Sequence, residues 1–294
     1  MTTTVPLRVA VVTNPTAGSG TGESVAVRLF GALRDAGHAV AELARSEDLS
    51  TAIDVDALVV VGGDGTAHLG LNIVAGTGIP LGIIPTGTGN DLARAFDIPL
   101  GDTDAAIRTL LESLARPPRY IDLGRITYAD DTVTYFGGVL AAGFDAVVNE
   151  RANRMRWPRG SSRYTVALLR ELAELRAIEY TVELDGEVSV FTATLVSIAN
   201  SPYFGGGMRV APGAEFDDAL FDIVSLEPVG RISLLRIFPK VFAGTHIRDP
   251  RVTVRKAARV RIDAAAIVAY ADGERIGPLP LDVEIVPRGL AVLM

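Results

Sequence analysis

Short runs of apolar, largely β-branched residues recur in the first third of the chain without alternating polar positions. They cover residues 7–13, 57–61 and 80–84, and this pattern is typical of strands buried on both faces of a parallel sheet. Between them, apolar residues repeat at helical spacing up to Gly37 and again over residues 103–115. This order of strands and helices predicts an α/β domain with an open, doubly wound parallel sheet in residues 1–122.

The pattern changes after about residue 122. Alternating apolar and polar positions, typical of strands with one solvated face, occupy residues 180–184, 188–199, 220–226 and 252–262. Turn signals such as Asp185-Gly186 stand between several of these segments, and residues 164–177 and 232–243 have helical spacing. We therefore predict a mainly-β domain over residues 123–280, followed by a tail of residues 281–294.

The composition is that of a folded protein with about two domains. Of the 294 residues, 48% are hydrophobic and 21% are charged, which is enough for a sizeable core. No run approaches the roughly 18 consecutive apolar residues that cross a bilayer. The first residues lead directly into a strand-like segment and do not form a signal peptide pattern. We expect a cytoplasmic protein.

The residue inventory excludes several kinds of chemistry. The chain has no cysteine and three histidines, so disulfides, a cysteine nucleophile and thiolate or histidine zinc sites are not expected. A metal ion would be bound by oxygen atoms. The net charge of −7 argues against nucleic acid as the partner, because phosphate backbones are bound by basic surfaces.

Three glycine-rich segments each follow a predicted strand of the α/β domain: NPTAGSG (14–20), GGDGT (62–66) and PTGTGND (85–91). Loops at the carboxyl ends of parallel strands converge on one crevice, and glycine-rich loops before a helix bind phosphate through main-chain N–H groups. Asp64 would repel a phosphate, which points to Mg²⁺ or a water network between them. The dinucleotide fingerprint and the Walker A motif are absent, which disfavours NAD-linked redox chemistry and P-loop enzymes.

Further motifs follow at residues 122–124 (DLG), 208–223 (MRVAPGAEFDDALFDI) and 271–274 (ADGE). In order with the glycine-rich segments, they resemble the catalytic-domain family of diacylglycerol kinases, which also contains sphingosine kinases and bacterial lipid kinases. The resemblance covers nearly the whole chain. It implies the two-domain architecture of lipid and NAD kinases, with nucleotide in the cleft between an α/β domain and a C-terminal β-sandwich. It also implies that the tail returns to the first domain.

The resemblance assigns roles to individual residues. Asp272 would be the general base, supported by Glu274. The loop at 215–220 would bind a structural Mg²⁺ through the Asp218 carboxylate and the main-chain carbonyls of Glu215 and Leu220, an oxygen-only ligand set that suits a hard cation. The nucleotide-binding candidates, from the loops and the resemblance together, are Asn14, Pro15, Thr16, Ala17, Gly18, Gly62, Gly63, Asp64, Gly65, Thr66, Thr88, Asn90 and Asp91.

The chain also departs from the family pattern. After GGDGT the family usually has an Asn-Glu pair, where this chain has His68 and Leu69, and a further nucleotide contact falls near Arg45 or Ser46. Two assigned motifs have a purely structural alternative, since acidic pairs such as Asp217-Asp218 and Asp-Gly pairs such as Asp272-Gly273 are common in turns.

A lipid acceptor must be reached at a membrane surface. Residues 151–170 contain six arginines and Trp157 but no acidic residue, which suits an anionic interface. The alternative is a solvated surface whose arginines pair with carboxylates. The aromatic residues that could line a slot for acyl chains, or simply form core, are Tyr203, Phe204, Phe136 and Phe144. His246 is interpreted as structural.

We therefore expect an ATP- and Mg²⁺-dependent kinase that phosphorylates a lipid hydroxyl, with diacylglycerol as the leading acceptor and phosphatidic acid as its product. The expected partner is a lipid at the membrane surface and not nucleic acid. Peripheral contact at the inner membrane face is a hypothesis, and a homodimer is left open. Two alternatives remain: a soluble-substrate kinase of the NAD kinase type, which shares GGDGT, and a non-catalytic nucleotide- or lipid-binding relative.

Overall fold

The computed structural model describes residues 5–13, 21–43, 54–128, 130–155, 157 and 162–294. These residues divide into two compact units. The first unit comprises the described residues up to Leu123 together with Pro287–Met294, and the second unit is Gly124–Val286.

The first unit is a parallel sheet with helices. Its strands are β1 (Arg8–Thr13), β2 (Ala39–Leu43), β3 (Ala57–Gly62) and β4 (Leu81–Pro85), and its helices are α1 (Thr21–Asp35), α2 (Asp64–Val74), α3 (Asp91–Ala95) and α4 (Thr103–Leu114). The strand order is β2-β1-β3-β4, and all three pairings are parallel. Every residue of β3 and β4 is buried, which explains their unbroken apolar runs. The predicted α/β domain is confirmed.

The direction in which strands are added reverses between β1 and β3. From β1 the chain passes outward to β2 and then returns to the other side of β1, where β3 and β4 lie. In open parallel sheets, ligands bind at the carboxyl ends of the strands beside such a reversal. Here β1 leads into residues 14–20, which lie outside the described residues, and β3 leads directly into Gly63.

The last strand, β18 (Leu281–Val292), begins in the second unit and ends in the first. Val292 pairs in parallel with Leu81 of β4, and the Leu293 N–H donates to the Leu81 carbonyl over 2.9 Å. Leu290, Val292 and Leu293 are buried. The carboxyl-terminal residues therefore contribute to the core of the first unit.

The second unit contains two antiparallel sheets. One is built from β7 (Val139–Gly143), β10 (Leu195–Ala199), β13 (Phe221–Leu226), β14 (Val252–Ala257), β16 (Val268–Ala271) and β17 (Glu274–Pro278), in the order β14-β13-β10-β7-β16-β17. The other contains β8 (Ile178–Leu184), β9 (Glu187–Ala193), β15 (Arg259–Asp263) and the start of β18. Two hairpins complete the strands: β5 (Arg119–Thr127), which starts in the first unit, with β6 (Val133–Phe136), and β11 (Tyr203–Phe204) with β12 (Met208–Arg209). The predicted β-sandwich is confirmed.

Both faces of the six-stranded sheet are covered. Along β7, Leu140 and Ala142 enter the core between the two sheets, whereas Val139 and Ala141 belong to a second apolar cluster. Residues of three helices pack in that second cluster: α5 (Phe144–Arg154), α6 (Ser162–Ala173) and α7 (Arg231–Phe242). None of the helices in the described part of the chain is long and apolar enough to cross a membrane.

Two segments were wrongly predicted to be single strands, since each is divided into two strands. The segment 188–199 is broken at Thr194 and the segment 252–262 at Ala258, and in each case the two halves belong to different sheets. At the first break, the Thr194 N–H and hydroxyl donate to the carbonyls of Leu226 and Glu227. At the second, the Ala258 N–H donates to the Asp185 carboxylate. Alternation continues through both breaks, so the pattern alone does not reveal them.

Candidate active site

The two described glycine-rich loops of the first unit touch through their backbones. A Cβ added at Gly87 would lie 2.5 Å from the Cα of Gly63, and a Cβ added at Gly62 would lie 2.2 Å from Thr66 Oγ1. The Thr86 N–H donates to the Gly62 carbonyl over 2.8 Å. Packing alone therefore requires glycine at Gly62 and Gly87. This requirement holds whether or not the loops bind phosphate.

Asp64 joins the same two loops. Its Oδ2 accepts a hydrogen bond from the Asn90 N–H at 2.8 Å, and its Oδ1 accepts one from the Asp91 N–H at 2.6 Å. The carboxylate thus caps the start of α3, where unpaired N–H groups favour a negative charge. This contact accounts for an aspartate among the glycines. The Mg²⁺ or water network expected from the sequence is not needed to explain it.

The start of α2 offers main-chain donors at the carboxyl end of β3. The helix begins at Asp64 and has no side-chain cap, so the N–H groups of its first turn, which includes Gly65 and the buried Thr66, have no partner within the helix. Such a terminus favours an anion. Asn90 holds the neighbouring loop in shape, because its amide accepts from the Gly87 N–H and donates to the Gly87 carbonyl.

Thr86 is a candidate that the sequence analysis missed. Its hydroxyl oxygen is buried and has no hydrogen-bond partner in the described part of the chain, although it lies between β4 and the glycine-rich turn. The predicted contact Thr88, by contrast, is exposed. Threonines are too common in loops for local sequence to separate the two. The nucleotide candidates Asn14, Pro15, Thr16, Ala17 and Gly18, and the positions Arg45 and Ser46, lie outside the described residues.

The departure from the family pattern at His68-Leu69 lies within α2. The His68 imidazole and carbonyl are both contacted by the side-chain amide of Asn72, at 3.2 and 2.9 Å. Leu69 is 37% exposed. His68 is thus bound to the following helical turn.

In the second unit, Asp272 is the first residue of the two-residue turn between β16 and β17. It is buried and has a left-handed backbone, with φ of 51°, and Gly273 follows with φ of 83°, as a tight hairpin turn requires. Its carboxylate accepts hydrogen bonds from the N–H groups of Gly137 and Gly138 at 3.0 and 2.7 Å. A carboxylate has about four acceptor sites, so these two bonds orient it without exhausting it.

The end of β10 supports this arrangement. The Asn200 N–H donates to the Gly138 carbonyl at 2.9 Å, and its side-chain amide donates to the Gly137 carbonyl at 3.1 Å. Asn200 and Asp272 therefore hold the same Gly-Gly turn from two sides, and both are buried. The predicted supporting residue Glu274 is exposed.

A second Asp-Gly turn in the same unit provides a comparison. Asp185 and Gly186 connect β8 to β9 with φ of 51° and 94°, and the Asp185 carboxylate accepts hydrogen bonds from two main-chain N–H groups, those of Ala258 and Arg259. The turn geometry of Asp272 is thus not unusual by itself. What distinguishes Asp272 is its burial beside Asn200, since Asp185 is exposed.

The predicted metal loop forms a charged cluster with Lys256. Asp218 Oδ1 accepts from the Leu220 N–H at 3.1 Å, and its Oδ2 pairs with the Lys256 ammonium. The ammonium lies 3.5 Å from Asp222 Oδ2, a buried oxygen with no hydrogen bond in the described part of the chain.

Burial raises the pKa of Asp222, the charges of Asp218 and Glu215 raise it further, and the charge of Lys256 lowers it. The oxygen set fits a hard cation that would share Asp218 with the ammonium, but the described residues contain no group of three acidic or histidine side chains placed to hold a metal ion.

An apolar cavity lies within the second unit, lined by residues of α5, α6, α7 and the six-stranded sheet. Its interior volume is about 80 Å³. Phe144 and Phe204, two of the aromatic residues selected from the sequence, line it. Phe136 does not, because it lies between the two sheets, where it stacks on Phe221 at 5.8 Å.

Three polar residues interrupt this apolar wall: Asp145, Ser197 and His246. The Ser197 hydroxyl donates to Asp145 Oδ2 at 2.9 Å, and burial raises the pKa of Asp145 to about 6. His246 Nε2 lies 3.0 Å from the Val210 carbonyl, and burial lowers the pKa of His246. Burial thus shifts the ionisation of both side chains towards the neutral form, in keeping with the apolar surroundings.

The arginine-rich segment 151–170 is partly paired. Arg151 forms ion pairs with Glu171 and Glu174, and Arg154 pairs with Glu150. These contacts favour the alternative of a paired surface for the two arginines. Arg156 and Arg159 lie outside the described residues.

Comparisons with known proteins agree with both units. Residues 8–126 match the family model of the diacylglycerol kinase catalytic domain, and residues 138–294 match that of the YegS C-terminal NAD kinase beta sandwich-like domain. A protein named diacylglycerol kinase from Mycobacterium tuberculosis (strain ATCC 25618 / H37Rv) is 39% identical, and the match covers 97% of this chain and 94% of that protein. This chain belongs to the diacylglycerol kinase family. A family member named diacylglycerol kinase from Bacillus subtilis (strain 168) is 30% identical over 88% of this chain and 82% of its own length. By family, the chain is a phosphotransferase.

Solved structures show the same fold. The crystal structure of a diacylglycerol kinase from Bacillus anthracis str. Sterne has a TM-score of 0.71 and 19% identity, covering 98% of this chain and 97% of that one. A second structure from the same organism has a TM-score of 0.75 and 20% identity, with 98% of each chain covered. At this identity the likeness concerns the fold.

Proposed function

We propose that this protein transfers the γ-phosphoryl group of ATP to the hydroxyl of diacylglycerol, giving phosphatidic acid. The observation that carries the lipid acceptor is the apolar cavity of the second unit, whose lining is interrupted only by Asp145, Ser197 and His246. Acyl chains suit such a wall, whereas a charged nucleotide such as NAD would need many polar partners there. The curated relatives named diacylglycerol kinase support the same acceptor.

The first unit is the part of the chain that would bind the nucleotide phosphates. The uncapped start of α2, the backbone contact between Gly63 and Gly87, and the buried Thr86 hydroxyl lie together at the carboxyl ends of β3 and β4. Main-chain N–H groups held in fixed positions are suited to stabilise phosphoryl charge. Mg²⁺ bound with ATP would neutralise charge on the transferred group. The Asp218 carboxylate with the main-chain carbonyls of Glu215 and Leu220 would hold a structural cation in the second unit.

Asp272 is the residue we propose as general base. Phosphoryl transfer needs the acceptor hydroxyl in line with the phosphorus, and a nearby carboxylate accepts the hydroxyl proton as the new P–O bond forms. Two main-chain hydrogen bonds fix the direction of the Asp272 carboxylate. A fixed orientation is what such a base requires.

The direct test is incorporation of radiolabel from [γ-³²P]ATP into dispersed diacylglycerol or into NAD, with and without Mg²⁺. We expect labelled phosphatidic acid, no labelled NAD product and no activity in the presence of a chelator. Labelled NADP without labelled lipid would replace the proposal by the NAD kinase alternative. ATP binding without turnover on any acceptor would favour the non-catalytic relative.

The matched variants Asp272→Asn and Asp185→Asn separate catalysis from turn structure. Both aspartates occupy the same backbone conformation before glycine and accept two main-chain hydrogen bonds, so Asp185→Asn controls for the turn, and a urea denaturation curve of each variant controls for the greater burial of Asp272. We expect Asp272→Asn to lower kcat by about 10²- to 10⁴-fold and Asp185→Asn to leave kcat unchanged. Equal rates for the two variants would remove Asp272 from the mechanism.

A further inference from the structure

Helix α7 has a stripe of exposed apolar residues. Ile232, Leu235 and Phe242 are 67%, 48% and 49% exposed, and Pro239 between them is exposed as well. Their spacing of three, four and three residues places all four on one face of the helix. We refer to these four residues as the α7 stripe.

The opposite face of the same helix belongs to the interior. Leu234 and Ile237 are buried, and together with Phe238 and Val241 they line the apolar cavity. A helix that is apolar on two faces is normally enclosed on both. A contiguous exposed apolar stripe of this kind marks an interaction surface.

Basic residues flank the stripe on both sides. At about 100° per residue, Arg231 falls on one flank and Arg236 and Lys240 fall on the other. The helix has no acidic residue, although the net charge of the whole chain is −7. Arg236 and Lys240 form no ion pair with any residue that the structure describes. The nearby Asp249 carboxylate is bound by Arg251 at 2.9 Å; hydrogen bonding to Arg251 is the main cause of its lowered pKa, and the charge of Lys240 is a smaller one.

We propose that α7 lies on the surface of an anionic phospholipid bilayer, with its stripe in the interface and its basic flanks against the headgroup phosphates. An apolar strip bordered by Arg and Lys is the pattern of interfacial helices, and each such cation strengthens binding to an anionic leaflet. The inference rests on the proposed function in one respect, since it concerns how an enzyme with a lipid acceptor reaches its substrate.

The apolar path behind the stripe favours a bilayer over a protein partner. Leu235 and Phe238 line a narrow slot between α6 and α7, together with Leu168 and Leu172. Phe238 and Leu168 also line the cavity. Apolar surface thus continues from the exposed stripe to the interior, which gives an acyl chain a route that a folded protein partner would not need.

This placement differs from the docking segment suggested by the sequence. In segment 151–170, Arg151 and Arg154 are held by carboxylates of Glu171, Glu174 and Glu150. An arginine in an ion pair must give up its partner before it can bind a headgroup phosphate. Arg236 and Lys240 have no ion pair with a described residue that would have to be broken first.

The test compares sedimentation of the full chain with phosphatidylcholine vesicles and with vesicles containing about 30% phosphatidylglycerol, where each basic residue near the surface contributes measurably. We expect binding to the anionic vesicles that falls at high salt. Arg236→Gln/Lys240→Gln should lower the partition coefficient about tenfold or more, and Ile232→Ser/Phe242→Ser should lower it at both low and high salt. Activity on detergent-dispersed diacylglycerol should remain at the parent level in both variants, so that loss of docking is distinguished from loss of the reaction.

The control variants carry the same changes elsewhere on the second unit. Arg255→Gln/Arg259→Gln removes two exposed cations, of which Arg255 is paired with Glu187 at 3.7 Å, and Val188→Ser/Val190→Ser removes two exposed valines on β9. Both should bind vesicles like the parent. Equal losses in the control and α7 variants, or no binding by the parent, would overturn the proposal. A parent dimer that the stripe variant converts to a monomer in analytical ultracentrifugation would instead assign the stripe to a second copy of the chain.

Discussion

Asp145 carries the main electrostatic cost among the residues that line the cavity. Its carboxyl group is surrounded by apolar side chains, and burial raises its pKa to about 6. The hydrogen bond from Ser197 lowers the pKa but offsets only part of this rise. The titratable neighbour Tyr180 has its own pKa raised by burial and by the Asp145 charge. Among the described residues, no cation contributes to the pKa shift of Asp145.

This shift predicts a loss of stability between about pH 4 and pH 6. Below that window the carboxyl group is protonated in both the folded and unfolded states. As the pH rises, the unfolded chain releases the proton first, so the folded state loses about 3 kcal/mol relative to it by the time the pH passes 6. Asp145→Asn should remove this slope and be more stable than the parent above pH 6, as measured by urea denaturation from pH 4 to pH 8.

Ser197→Ala provides the control. The hydroxyl lowers the pKa of Asp145 in the folded state, so its removal should extend the window at its upper end to higher pH, with the lower end unchanged. Identical pH profiles for Asp145→Asn and the parent would show that the carboxyl group is hydrated in the folded state.

At the scale of elements, the contact between Gly63 and Gly87 positions β3, β4 and the starts of two helices relative to one another. The backbones approach so closely that a methyl group at Gly87 would lie 2.5 Å from a Cα atom. Asp64 and Asn90 add hydrogen bonds across and within the same loops. The geometry of the proposed phosphate site therefore depends on a steric condition as well as on charge.

Gly87→Ala should separate the two loops. We expect a loss of about 1–3 kcal/mol in the free energy of unfolding, as for other overpacking changes, together with weaker ATP binding in calorimetry. Gly31→Ala is the matched control, since Gly31 lies within α1 with no atom within 4 Å of the added methyl group. That change should stabilise the chain by up to about 1 kcal/mol. Unchanged stability and ATP affinity in Gly87→Ala would contradict the close approach.

At the scale of the whole molecule, the chain enters the first unit twice. Residues up to Leu123 form most of it, and Pro287–Met294 return to it after the whole second unit. Leu290, Ala291, Val292 and Leu293 are all buried there. Folding of the first unit therefore requires residues that follow the second unit in the chain.

Removal of residues 287–294 should destabilise the first unit selectively. Four buried apolar side chains are lost, which corresponds to more than about 3 kcal/mol, and β4 loses the neighbour that pairs at Leu81. Hydrogen exchange should accelerate in β3 and β4 and change little in β10 and β13. Deletion of Met294 alone, which is half-buried, should leave both regions protected. Uniform acceleration in both units would show that they unfold as one.

Much of the fold could be predicted because local pattern and final environment agree. The apolar runs of β1, β3 and β4 are buried on both faces, and α1, α4 and α7 lie close to the segments with helical spacing. The breaks at Thr194 and Ala258 could not be predicted, because alternation continues across both while the hydrogen-bonding partner changes from one sheet to the other. The helix α5 was missed, since its many polar residues obscure an apolar face.

The amino-acid sequence alone determined the kinds of chemistry available: oxygen ligands, glycine-rich turns, an Asp-Gly turn late in the chain, and the family to which their order belongs. These follow from residue identity and order, which need no coordinates. Tertiary structure alone decided which partners each side chain has. Asp64 binds the start of α3, Arg151 and Arg154 are in ion pairs, and Arg236 and Lys240 form no ion pair with a described residue. Such contacts join residues far apart in sequence, and their distances depend on the packing of the whole unit.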